Sequence, residues 1–183
     1  LGHAPFGHHG EVILNKLCNK FFNSSFWHEQ NGLHFVDDIE LLESPQKTFE
    51  NLDLTYAVRD GIVSHCGEVG QKELHPRDNI QQNLYEIPQG GKISPATWEA
   101  CVVKIADKIA YLGRDIEDAL RLHFLDKVAL DALNNIVTSY SNTINTTFLI
   151  HTFITDICNE SNPETGIKLS QKIFDLMNEV KLF

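Results

Sequence analysis

At 183 residues, 42% hydrophobic and 22% charged, the chain has the composition of a globular protein and can bury a sizeable core. Its formal net charge of −10 argues against broad binding of duplex nucleic acid, while leaving room for a local basic pocket that takes a small anion. No apolar run reaches the ~18–20 residues of a membrane span, and the four cysteines (Cys18, Cys66, Cys101 and Cys158) form no CxxC pair, which fits reduced thiols in the cytoplasm better than a zinc finger or a disulfide framework.

In chain order the apolar spacing predicts helices almost throughout. Glu11 to Phe22 sets Val12, Ile13, Leu17 and Phe21 near helical period. A second helix is expected from about His28 to Leu42, interrupted at Asn31-Gly32 and closed by Pro45. A third runs from Leu54 to His65, with Leu54, Val58, Ile62 and His65 on one side and Gly67 past its end. Residues 67–93 read as a long loop in which Ile80 to Ile87 is a short strand or a single helical turn. Ser94-Pro95 reads as a cap with proline at the first helical position, opening a long helix from Trp98 to Leu122. Helices over 127–159, with a break near Ser139–Asn145, and over 164–180 complete an all-α class.

Three stretches could carry chemistry. In the opening segment, "LGHAPFGHHGE", a Gly/Pro-punctuated loop could aim His3 and His8 into one pocket, where imidazoles bind metals or move protons near neutral pH; the plainer reading is a surface histidine-rich tract. In "FWHEQNG", His28 is either a satisfied boundary residue or a functional ring oriented by Glu29. In "ADKIAYLGRDIEDAL", Asp107, Tyr111 and Asp115 stand at i, i+4 and i+8. Each four-residue step advances about 40° around a helix, so all three share one face, with Gly113 removing bulk and Lys108 and Arg114 as flanking cations. That face is either solvated and ion-paired or a set of core carboxylates that must be paired or bind a metal.

Together and in this order, these pieces resemble the HD-superfamily phosphohydrolases, specifically the deoxynucleoside triphosphate triphosphohydrolases (dGTPase-like). "LGHAPFGHHGE" is similar to the segment that directly follows the family's His-Asp doublet, and "DKIAYLGRD" to its later D-x-x-x-Y-x-x-x-D motif. "WHEQ" and "LTYAVRDGIVSHCGE" resemble segments between the two, so the likeness runs from Leu1 to about Leu120.

The resemblance implies an HD-domain helical bundle, with residues 1–125 as a partial catalytic core. Residues 126–183 would be C-terminal helices that pack on that core or form a homo-oligomer interface. The family binds one divalent metal through an upstream His, the His-Asp doublet and a distant Asp; only the last has a match here, Asp107. The chain is therefore expected to start just after the doublet and to be inactive alone. Mg²⁺ or Mn²⁺ would suit the site, with Fe or Ni admitted by imidazole. By position, Lys108 would face the phosphates, and Tyr111 and Asp115 the sugar with its 3′-hydroxyl. His3 and His8 would line the phosphate pocket, and His28 would act as general acid with Glu11 or Glu29 orienting it; which histidine protonates the leaving oxygen stays open. The implied reaction hydrolyses dGTP or dNTPs generally to deoxynucleoside and inorganic triphosphate. The alternatives are another HD nucleotide phosphohydrolase and a catalytically silent nucleotide-binding or oligomerisation module.

Overall fold

The computed structural model describes residues 2–67, 72–78, 80–87, 93–138 and 146–181. Among them the fold is all-α, with seven helices and only two- and three-residue strands. Two compact units emerge, Leu1–Val69 with Pro76–Lys104, and Gly70–His75 with Ile105–Phe183. No helix is long and apolar enough to cross a membrane among the described residues, and no disulfide joins any of the four cysteines.

The first unit opens with α1 (Gly7–Phe22), which starts four residues earlier than its apolar period suggests. Only Gly10 and Glu11 of α1 are buried; Val12, Ile13, Leu17 and Phe21 are exposed. Next, α2 (His28–His34) continues through Asn31-Gly32 without a break and loosens into a π-helical turn over Phe35–Ile39. That turn ends where the Glu40 N–H donates to the Phe35 carbonyl (2.8 Å), and the chain leaves in an extended conformation. Residues expected to stay helical to Leu42 instead form β1 (Leu41–Glu43), paired antiparallel with β2 (Phe49–Asn51) in the register Leu42↔Glu50. The Ser44–Lys47 turn joins them, closed by Lys47 N–H to the Ser44 carbonyl (2.9 Å).

In α3 (Tyr56–Ser64) the buried residues are Asp60, Val63 and Ser64 rather than the expected face, and Val58 is exposed. A 3₁₀ turn at Leu84–Glu86 decides the open reading of residues 80–87 in favour of a helical turn. Leu33, Val36, Val63, Leu84 and Ile87 form the core of this unit. The long α4 (Trp98–Arg121) gives the unit its first turns. Thr97 caps it, its Oγ1 accepting from the Ala100 N–H (3.2 Å). Ser94 contributes its carbonyl to Arg77 Nη1 instead (2.9 Å).

The second unit takes the rest of α4 with α5 (Lys127–Thr138), α6 (Thr146–Glu160) and α7 (Gln171–Lys181). The break expected near Ser139–Asn145 falls outside the described residues. Residues 164–170 are not helical. Asn162 Oδ1 accepts from the Glu164 and Thr165 N–H groups, and β4 (Ile167–Lys168) pairs antiparallel with β3 (Glu73–Leu74). Asp156 takes both the N–H and the hydroxyl of Ser170 (2.7 and 2.8 Å), and Ser170 in turn starts α7. Apolar side chains of all four helices meet in one core, including Ile109, Leu112, Ile116, Leu133, Leu149, Phe153 and Leu176. Gly113 serves that packing and does not clear a binding face: a Cβ there would stand 2.6 Å from Ile150 Cδ1 of α6.

Two ion pairs fasten the first unit. Asp60 is wholly buried, pairs with Arg77 Nη2 and accepts the Ala96 N–H (2.7 Å), tying α3 to the segment before α4. Arg77 Nη2 also donates to the Tyr56 hydroxyl (2.9 Å). Asp60→Ala strands that guanidinium, and a loss of about 3–5 kcal/mol is expected in urea unfolding. A loss under about 1 kcal/mol would show that the pair is not structural.

Asp37, in the π-helical turn, binds the Arg59 guanidinium and the Tyr85 hydroxyl (2.8 Å). Burial pushes its carboxyl up, but the Arg59 and Tyr85 hydrogen bonds and the Arg59 charge outweigh that and hold it below the ordinary 3.8. Burial and the Asp37 carboxylate together push the Tyr85 hydroxyl up to about 12. Because the Asp37 value is depressed on folding, its stabilisation is whole above about pH 5 and drains as pH falls through the folded value. Asp37→Asn is expected to cost about 2 kcal/mol at pH 7 and to flatten the acid limb of the Tm–pH curve.

Candidate functional site

The opening loop lies directly on α2. Gly2 holds φ +77°, and a Cβ on it would stand 2.3 Å from the Gly32 backbone nitrogen, so the Asn31-Gly32 pair is the loop's landing surface. Asn31 Nδ2 donates to the Gly2 carbonyl (2.9 Å). At the other end of the loop, a Cβ on Gly10 would fall 1.7 Å from the Pro5 carbonyl oxygen, so only glycine lets the chain fold back on α1 there.

This folding gathers three predicted histidines. The His3 ring stacks on the His28 ring at 4.1 Å between centroids. His8 meets both edge-on, at 6.3 Å from His3 and 5.7 Å from His28. His28 is 3% exposed, whereas His3 and His8 are exposed. Glu11, buried on α1, accepts twice from His28: Oε1 from the backbone N–H (3.2 Å) and Oε2 from Nδ1 (2.9 Å). Glu29 is also buried, its Oε2 3.5 Å from the same Nδ1 and without a hydrogen-bond partner among the described residues. A nitrogen facing carboxylates must carry hydrogen, so the protonation of Nδ1 is fixed and Nε2 is the atom left for chemistry.

Two further residues complete the cluster. His65 and Cys66 follow the last turn of α3. His65 Nδ1 donates to the Ile62 carbonyl (2.7 Å), and its Nε2 reaches Cys66 Sγ (3.1 Å). Cys66 Sγ also contacts His28 Nε2 (3.0 Å). The periodicity had set His65 on an apolar helix face and singled out no role for Cys66; the adjacent His-Cys pair at a helix end was the available signal. Lys104 is buried beneath them, its Nζ donating to the carbonyls of Ser64 (2.9 Å) and Cys66 (2.5 Å). Burial pulls the Lys104 ammonium below the usual lysine range, against opposing pulls from Cys66, Cys101 and Glu29.

The structure thus brings His3, His8, Glu11, His28 and Glu29 together in the first unit. Asp107, Lys108, Tyr111 and Asp115 belong to the second, on α4. There Asp107, Tyr111 and Asp115 are exposed while Ile109, Leu112 and Ile116 enter the core, so the carboxylates are not held inside the helical packing. Burial pushes the Tyr111 hydroxyl up, with the Asp115 and Asp107 charges adding to it. Two sets of side chains among the described residues have ligand atoms close enough to hold a metal ion, within 4.8 Å of one another: His8 with Glu11 and His28, and His28 with His65 and Cys66.

No protein-family model matches the chain. It is similar over its whole length to curated proteins called deoxyguanosinetriphosphate triphosphohydrolase-like. The one from Desulfatibacillum aliphaticivorans is 33% identical over 188 residues, and the match takes in 45% of that protein. Its counterpart from Caldanaerobacter subterraneus subsp. tengcongensis is 30% identical over 185 residues, 43% of its length. A third, from Thiobacillus denitrificans, is 36% identical over 129 residues, covering 66% of this chain and 28% of that protein. The chain therefore spans less than half the length of these relatives. Set beside the histidine–carboxylate cluster and the all-α fold, the match over the whole chain makes it a homologue of part of the deoxyguanosinetriphosphate triphosphohydrolase-like proteins.

Proposed function

We propose that the chain supplies part of a site that hydrolyses a deoxynucleoside triphosphate to deoxynucleoside and inorganic triphosphate. The observation that carries this reading is the doubly bonded Glu11–His28 pair inside a cluster of imidazoles. Water attacks the α-phosphorus, the bond to the 5′-oxygen breaks, and that oxygen must gain a proton because an alkoxide leaves poorly. His28 is the group fixed for that delivery. Glu11 orients the ring through Nδ1, and in the imidazolium form the Nε2–H gives its proton to the departing oxygen and leaves the ring neutral. The contact of Nε2 with Cys66 is a weak thiol hydrogen bond that a substrate oxygen replaces. His3 and His8, exposed beside the ring, donate to phosphate oxygens, with charge assistance when protonated.

Roles on α4 rest on the match to the family motif: Lys108 for phosphate charge, Tyr111 and Asp115 for the sugar. The family's divalent ion would find one of its four ligands here, Asp107, an exposed carboxylate. A lone carboxylate does not fit the octahedral demand of Mg²⁺ or Mn²⁺. Mg²⁺ or Mn²⁺ (Fe or Ni as alternatives), cytoplasmic location and self-assembly are proposed for the complete protein.

The test incubates dGTP with Mg²⁺ or Mn²⁺ and either this chain or a version carrying whatever coding sequence precedes Leu1, and resolves the products by chromatography. Deoxyguanosine with intact triphosphate is expected from the longer form. A diphosphate or monophosphate product would overturn the reading in favour of another phosphohydrolase. In the active form, His28→Gln is expected to lower kcat by about 10²–10⁴. Asp115→Ala should erode the preference for dGTP over its 3′-deoxy analogue, because a carboxylate left unpaired by the analogue no longer penalises it.

A further inference from the structure

The arrangement around Cys66 has an excess of lone pairs. His65 Nδ1 is committed to the Ile62 carbonyl and His28 Nδ1 to Glu11. In the neutral rings both Nε2 atoms therefore present lone pairs, and both point at one sulfur, 3.0 and 3.1 Å away. A thiol has one proton and can satisfy only one of them. Three acceptor atoms converging with one proton among them are what a cation satisfies. The partners on the two Nδ1 atoms, a carboxylate and a backbone carbonyl, are also the usual partners of metal-bound imidazoles. Lys104 donates to the Cys66 backbone carbonyl (2.5 Å) and so fixes the chain beside the sulfur.

We propose that His28 Nε2, His65 Nε2 and Cys66 Sγ form a binding site for a thiophilic divalent cation, Zn²⁺ first, with a fourth position open to water. All three ligands lie in the first unit, and none corresponds to Asp107. Their ligand atoms fall within 4.8 Å of one another. A tetrahedral Zn²⁺ holds sulfur and nitrogen about 3.5 Å apart, so the two rings need to open by only about half an ångström. Two imidazoles and a thiolate select Zn²⁺ over Mg²⁺, which takes oxygen ligands. Resting on the reaction proposed above, the ion also inhibits: bound at Nε2, it keeps that nitrogen from carrying the proton that His28 would deliver.

The experiment uses the metal-stripped chain and needs no turnover. Co²⁺ is titrated in as the probe, its thiolate charge-transfer band is read in the near ultraviolet, and Zn²⁺ is then added to displace it. One equivalent of Co²⁺ and a clear band are expected. Cys66→Ser should abolish the band, His65→Gln should weaken Zn²⁺ binding by about 100-fold and Glu11→Gln by about 10-fold, while Cys158→Ser leaves both unchanged. A band that persists in Cys66→Ser, or no band in the parent chain, overturns the site. Circular dichroism checks the fold of each variant. As a measurement independent of substitution, Zn²⁺ should slow alkylation of Cys66 and leave that of Cys158 unaltered; equal rates with and without Zn²⁺ also overturn it. Stoichiometric binding by this chain, with no triphosphate released by the longer form under the dGTP assay above, would keep the site and remove the proposed reaction. Turnover without binding would do the reverse.

Discussion

The carboxylate of Glu11 holds one end of the first unit together. It belongs to α1, yet both of its oxygens are bound to His28, the first residue of α2. One oxygen satisfies a backbone N–H at a helix start, where no intrahelical acceptor exists. The other fixes the ring that starts the same helix. Since the opening loop is pinned to α2 through Gly2 and Asn31, this carboxylate and the loop close a circuit from α1 to α2 and back. His3 and His8 ride on that circuit, and their distances to His28 follow from it.

The opposite side of His28 is set by a different element. His65 and Cys66 arrive from the end of α3, and α3 is held by the buried Asp60–Arg77 pair and by Val63 in the core. Neither pair substitutes for the other. Glu11 decides which nitrogen of His28 carries hydrogen, and α3 decides what meets the remaining nitrogen. On the two proposals above, delivery of a proton and binding of a soft cation by His28 would exclude each other, because both need the same Nε2.

The second unit works by apolar packing. Its helices meet through aliphatic side chains and Phe153, and Asp156 of α6 holds the start of α7 through Ser170. On α4, Ile109, Leu112 and Ile116 follow helical spacing into the unit's core, while Val102, one turn from the start of the helix, is exposed. Asp107, Tyr111 and Asp115 share the face expected of them, but a face assignment carries no depth, and they stand on the exposed side.

By itself the sequence determined the helical class, the position of most helices, and the candidate rings and carboxylates, because helical period and residue type are local properties. Gly2, Gly10 and Gly113 were visible as glycines, but what occupies the space beside each was not. The π-helical turn at Phe35–Ile39, the β1–β2 hairpin and the late start of α7 all went unread, since each depends on a partner outside its own stretch: Arg59 and Tyr85 for Asp37, Phe49–Asn51 for Leu41–Glu43, Asp156 for Ser170. The exposure of Val12, Ile13, Leu17 and Phe21 has the same origin, because spacing shows which residues share a face and not whether anything covers it. Only the tertiary structure decided that His65 and Cys66 join His28. A ring nitrogen's direction and hydrogen content are set by what its other nitrogen touches, and for His28 that is Glu11, 17 residues away.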